Sequence, residues 1–74
     1  KKGTMPTGRV NWFSISKGYG FILENDGAEL FVHRSEIQNV EYLDEGAKVQ
    51  YHVGQGKKGP YAKKVVQISK SPFY

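Results

Sequence analysis

The chain has no cysteine. No disulfide framework and no thiolate metal site can form, and a reducing compartment, the cytoplasm, is the expected location. The two histidines cannot build a zinc site unaided. No apolar run approaches the roughly 20 residues of a membrane-spanning helix, and no apolar core of a signal peptide is present, so no membrane partner is expected. No long amphipathic helical stretch is found either. Finally, no nucleophile and base pair, carboxylate dyad or metal-ligating cluster stands out, which argues against an enzyme and against a bound metal or cofactor.

Acid is missing from both ends of the chain. Residues 1–23 hold Lys1, Lys2, Arg9 and Lys17 and residues 46–74 hold six lysines, whereas all seven acids fall between Glu24 and Glu45, with Arg34 the sole base among them. A net charge of +4 is by itself compatible with ordinary solvated lysines. Its segregation predicts one acidic face and one basic face, the latter suited to a polyanion. The 74 residues make one small domain, near the lower size at which a core alone holds a fold. Lys1-Lys2-Gly3-Thr4 precede Met5, which reads as a native start behind a cloning remnant; the domain is expected over residues 5–70, with 71–74 as a tail.

What the chain does have is two short runs, Lys17-Gly18-Tyr19-Gly20-Phe21-Ile22 and Leu30-Phe31-Val32-His33. On strands, side chains alternate, so Lys17, Tyr19, Phe21 and Leu23 share one side, and Phe31 and His33 share a side by the same count. Gly18, Gly20, Ile22, Leu30 and Val32 point the other way. This suits a small barrel, where glycines let a strand coil sharply and aliphatic residues fill the centre. The rings then face water, which marks a surface for a flat partner. Nucleobases stack on such rings for roughly 1–3 kcal/mol each, whatever the base.

Five strands are predicted: residues 8–14, residue 17 or 18 to 24, residues 28–33, 47–53 and 61–68, with Asn25-Asp26-Gly27 as a turn. Val49, Tyr51 and Val53 alternate with Lys48, Gln50 and His52 as a half-buried strand, and Val65, Val66 and Ile68 close the sheet. Gly54 to Pro60 reads as a flexible basic loop. Arg34 to Gly46 is a longer connection in which Ser35-Glu36-Ile37-Gln38 makes one helical turn. In strand one, parity puts Trp12 inward beside Val10 and Phe13 outward. Only a bulge or strong twist exposes both rings, so the residues alone leave the choice between Trp12 and Phe13 open. Glu29 flanks the rings as a solvated carboxylate.

Taken together, the chain resembles the cold-shock domain of bacterial cold-shock proteins over about residues 7–69. The matching pieces are Gly8-Arg9-Val10-Asn11-Trp12-Phe13, the two runs above, Ser35 to Gln38, Leu43-Asp44-Glu45-Gly46 and Lys58-Gly59-Pro60. The resemblance implies an all-β, five-stranded antiparallel OB-type barrel that binds single-stranded RNA or DNA and acts as an RNA chaperone, keeping transcripts unfolded in the cold. Carried over by position, Trp12, Phe13, Tyr19, Phe21, Phe31, His33 and Tyr42 contact bases, and Lys17 and Lys58 contact the backbone. The chain departs from the family at several points. Asn11 stands where a lysine is common, which removes a phosphate contact. Arg34 stands where an aromatic residue is frequent and can stack its guanidinium plane on a base. The loop after Tyr42 is two residues shorter, and Tyr61 replaces a common polar residue, adding a ring at the platform's edge.

Two competing readings are weaker. An RRM carries a similar hexamer, but late in the domain and with two helices between strands. A peptide-binding small barrel would also display rings, but its groove favours acidic rims. The expected state is a monomer, although exposed edges permit a strand-swapped dimer.

Overall fold

The computed structural model describes residues 6–69; the expected leader, the start at Met5 and the tail at 71–74 lie outside the described residues. Five strands follow in order: β1 (Thr7–Ser14), β2 (Tyr19–Glu24), β3 (Glu29–His33), β4 (Lys48–Gly56) and β5 (Gly59–Gln67), with a single 3-10 turn at Arg34–Glu36 after β3. They close as a barrel in the order β1-β2-β3-β5-β4, with β4 returning to β1 through Gly8 opposite Val49. This is the OB-type all-β barrel expected, with one refinement. Closure between β3 and β5 is a short parallel pair, Phe31 with Tyr61 and Val32 with Ala62, while the other pairings are antiparallel.

The core is made by alternation. Ile22, Leu30 and Val32 point inward with Val10, Leu43, Ala47, Val49, Tyr51, Ala62 and Val65, and Phe13 and Ile37 pack against them half-buried. Two bulges interrupt this pattern, and both change which residues face water. In β1, Val10 pairs with Ile22 but Trp12 already pairs with Phe21, so Asn11 is the extra residue. The slip resets parity, turning Trp12 to the outer face and Phe13 toward the core. In β5, Gln50 pairs with Val66 but His52 with Lys63, and Lys64 takes a positive φ of 51° to absorb the extra residue. Consequently Val65 is buried, while Val53 and Ile68, both expected in the core, are exposed.

Three expectations about loops change as well. The stretch Gly54–Pro60 is not a flexible loop but the tip of the β4–β5 hairpin, paired as far as Gly56 with Gly59 around a two-residue Lys57-Lys58 turn. β2 begins at Tyr19, because Gly18 at φ 80° belongs to a turn in which its N–H donates to the Ser14 carbonyl at 2.7 Å. The helical turn starts one residue early, at Arg34, since His33 caps it: the Ser35 N–H donates to His33 Nδ1 at 3.1 Å. The long connection is fastened to β5 by a side-chain clasp. Asn39 Nδ2 donates to the Gln67 carbonyl at 2.9 Å, and Gln67 Nε2 donates to Asp44 Oδ2 at 3.1 Å. Among the described residues no helix is long and apolar enough to cross a membrane.

Candidate nucleic-acid interface

Four rings meet on the outer face of β1–β3. Trp12 lies 5.9 Å from Tyr19 and 5.5 Å from Phe21, and Phe31 lies 5.7 Å from Tyr19 and 5.8 Å from Phe21, measured between centroids. The contacts form a closed circuit of tilted and edge-to-face pairs, the geometry in which the positive rim of one ring meets the negative face of the next. Each ring is therefore held by two neighbours while part of its surface stays open; Trp12 is 36% and Phe31 37% exposed.

The glycine behind this circuit sets its depth. Gly20 is buried opposite Phe13, and a Cβ there would fall on the Trp12 carbonyl oxygen and within 2.7 Å of the Phe13 Cα. Only glycine lets β1 and β2 approach closely enough to seat Trp12 against Phe21.

The remaining expected contacts flank the circuit. His33 pairs with Tyr19 across β2–β3. Its Nδ1 accepts from the Ser35 N–H and sits 2.9 Å from Ser35 Oγ, which assigns the neutral tautomer with hydrogen on Nε2 and leaves that donor for a ligand. The sequence reading placed His33 beside Phe31 but did not detect its second task as a cap; serine two positions on was the available signal. Phe13, Arg34 and Tyr42 are brought together around a different hollow of about 360 Å³ with Ile15, Val40 and Glu41. The stem of Arg34 lies over Gly18, so near that a Cβ there would be 3.0 Å from Arg34 Cδ. Lys17 is exposed beside the Gly18 turn. On the β5 side, Lys58 and Tyr61 line a hollow of about 410 Å³ with Phe31.

One pair escaped the sequence reading. Asn11 Nδ2 donates to Glu29 Oε2 at 2.7 Å, so the bulge residue and the flanking acid are bound to each other at the Phe21 end of the platform. The register that joins them exists only because of the bulge.

No group of three or more His, Cys, Asp or Glu residues is arranged to hold a metal among the described residues. The chain matches the model of the 'Cold-shock' DNA-binding domain over residues 6–68. It belongs to the cold-shock domain family. Relatives at this level include the probable cold shock protein A of Mycolicibacterium smegmatis, 51% identical over 61 residues, which cover 78% of this chain and 91% of the relative. A cold shock protein of Arthrobacter globiformis is 48% identical over 67 residues, covering 86% of this chain and all of the relative. The cold shock-like protein CspC of Bacillus cereus is 46% identical over 63 residues, covering 82% and 97% of the two chains. Membership makes this a nucleic-acid-binding domain of the cold-shock type.

Proposed function

We propose that the chain holds single-stranded RNA or DNA by stacking bases on the Trp12, Tyr19, Phe21 and Phe31 circuit, and that it works in the cytoplasm as a monomeric RNA chaperone without catalytic chemistry. The observation that carries this reading is the circuit itself. Four contiguous rings stay partly open to water on a barrel whose aliphatic residues are otherwise turned inward. Every base offers a π-face, so such a surface takes unpaired strands with little regard to sequence, whereas stacked bases in a duplex present no open face. His33 Nε2 supplies a donor to base edges at the rim, and Arg34, Lys17 and Lys58 supply charge for phosphates. A protein that holds unpaired segments in this way keeps them from refolding into hairpins, and this matters most when cold slows duplex melting.

The chain has one tryptophan, and it lies in the circuit. The test is quenching of Trp12 fluorescence by a short pyrimidine-rich strand, with the matching duplex as control. Strong quenching by the single strand alone is expected. Tight binding without quenching would remove Trp12 from the contact surface, and displacement of the strand by a proline-rich peptide would favour a peptide-binding module instead.

A further inference from the structure

The β4–β5 hairpin carries a feature that the four-ring circuit does not use. Gly54 is the cross-strand partner of Tyr61, and a Cβ on Gly54 would lie 2.7 Å from Tyr61 Cζ and 2.9 Å from its Cε1. Two residues on, a Cβ on Gly56 would lie 3.4 Å from Tyr61 Cδ1. One edge of the Tyr61 ring thus runs along two consecutive side-chain-free positions on this face of β4. Phe31 and Tyr61 are register partners in the parallel pair, so their side chains leave the sheet on the same side. Between them and the hairpin tip lies the hollow of about 410 Å³, floored by Pro60 and Gly59 and rimmed by Lys57 and Lys58. Its volume falls in the range of about 300–1,000 Å³ typical of ligand sites.

We propose that this cradle is a separate subsite for one further nucleobase of a bound single strand, with Tyr61 as its outer wall and Lys57 and Lys58 facing the adjoining phosphates. Two observations select a nucleotide as occupant. The cradle is continuous with the platform through Phe31, which belongs to both, and its rim carries two lysines and no acid. Gly54 is the enabling residue, since any side chain there displaces the Tyr61 ring and closes the extension. The inference rests on the stacking function proposed above, and it predicts something that function does not: the strand tracks past β3 onto β5.

The experiment is a length series of homopyrimidine strands titrated against Trp12 fluorescence. Affinity climbs with length and then levels off. For the unaltered chain the plateau is expected one nucleotide later than for Tyr61→Gln, and Tyr61→Gln should lose about 5- to 100-fold in affinity for the longest strands while binding the shortest ones as before. Tyr61→Phe should keep the later plateau because it keeps the ring, and Gly54→Ala should reproduce the earlier one. In the unaltered protein, a photoreactive thio-substituted pyrimidine at one end of the strand should crosslink to Tyr61, and one at the centre should not. Equal loss at every length, or a plateau that Tyr61→Gln leaves in place, overturns the subsite while leaving the platform intact. Absence of quenching by strands of every length overturns the platform and the subsite together.

Discussion

At the Tyr51 corner an aromatic residue is answered entirely from within the protein, whereas on the β1–β3 face the rings answer only to one another and to water. Tyr51 is 1% exposed and its hydroxyl donates to Glu24 Oε2 at 3.1 Å, so its apolar body fills the core and its polar tip has a partner. Trp12, Tyr19, Phe21 and Phe31 keep open surface that a purely structural role would have buried. The two regions share strand β2, which ends at Glu24 in the corner and carries Tyr19 and Phe21 on the platform. The difference teaches that alternation along one strand can serve cohesion on one side and recognition on the other. Substitutions should then separate stability from binding according to the face they strike.

The largest effect is expected at the boundary between the faces. Gly20→Ala drives a methyl group into the β1 backbone at Trp12 and Phe13, where no side chain can swing aside to make room. The cost should reach or exceed the upper end of overpacking penalties, about 3 kcal/mol, a large share of the stability of so small a domain. Urea unfolding followed by circular dichroism would show a strongly lowered midpoint together with lost binding. A midpoint close to that of the unaltered chain would mean that β1 and β2 do not need this approach.

Phe31→Ala tests the outer face alone. Binding to a single strand should weaken by about 1–3 kcal/mol with only a small change in unfolding midpoint. With about three to five phosphate contacts, log affinity against log salt should have a slope of about −2 to −3.5, and the substitution should leave it in place. If the slope falls by a full unit, Phe31 is not acting as a neutral stacking surface.

The same two faces show what was legible in advance. Tyr19, Phe21, Phe31 and His33 on one side and Ile22, Leu30 and Val32 on the other follow from simple alternation, because β2 and β3 pair without a slip from Tyr19–His33 to Leu23–Glu29. Trp12 and Phe13 could not be assigned, since their facing depends on the bulge at Asn11, and a bulge is a property of the pair of strands rather than of either one. The β5 bulge at Lys64 exposed Ile68 for the same reason, against alternation. Gly54 and Gly56 looked like loop residues by composition. Their absent side chains instead accommodate the ring of Tyr61, a tertiary contact that no local pattern reveals.

The inner face has its own test in Tyr51→Phe, which removes a hydrogen bond to a carboxylate and should lower stability by about 1 kcal/mol at neutral pH with binding unchanged. Its pH dependence has a definite sign. Burial first, and then the nearby Glu24 carboxylate, raise the Tyr51 pKa well above its ordinary value of 10.0. As pH rises past that ordinary value the unfolded chain gives up the phenolic proton while the folded chain retains it, so stability falls by up to about 1.4 kcal/mol per pH unit. Phenylalanine has no such proton. The advantage of the unaltered chain over Tyr51→Phe should therefore hold through neutral pH, shrink above about pH 10 and then reverse. Parallel urea midpoints for the two chains from pH 7 to 11 check this, and a constant difference would mean that Tyr51 titrates alike in both states.

The smallest effect is expected where the two kinds of chemistry meet, at the Asn11–Glu29 pair beside Phe21. The amide satisfies one carboxylate oxygen without neutralising its charge, so a negative group remains at the edge of a surface meant for a polyanion. Asn11→Lys adds one positive charge there. If the ammonium reaches a phosphate, the salt slope should steepen by about 0.7, and binding should tighten severalfold at low salt while Trp12 quenching keeps its amplitude. If Glu29 captures the lysine, the carboxylate is neutralised in place; affinity then rises slightly and the slope stays where it was. The slope thus distinguishes a phosphate contact from a change in local field, and the additional variant Glu29→Gln separates the two arms. Removing the carboxylate should reproduce the field effect alone, because it frees no cation to release a counterion from the strand.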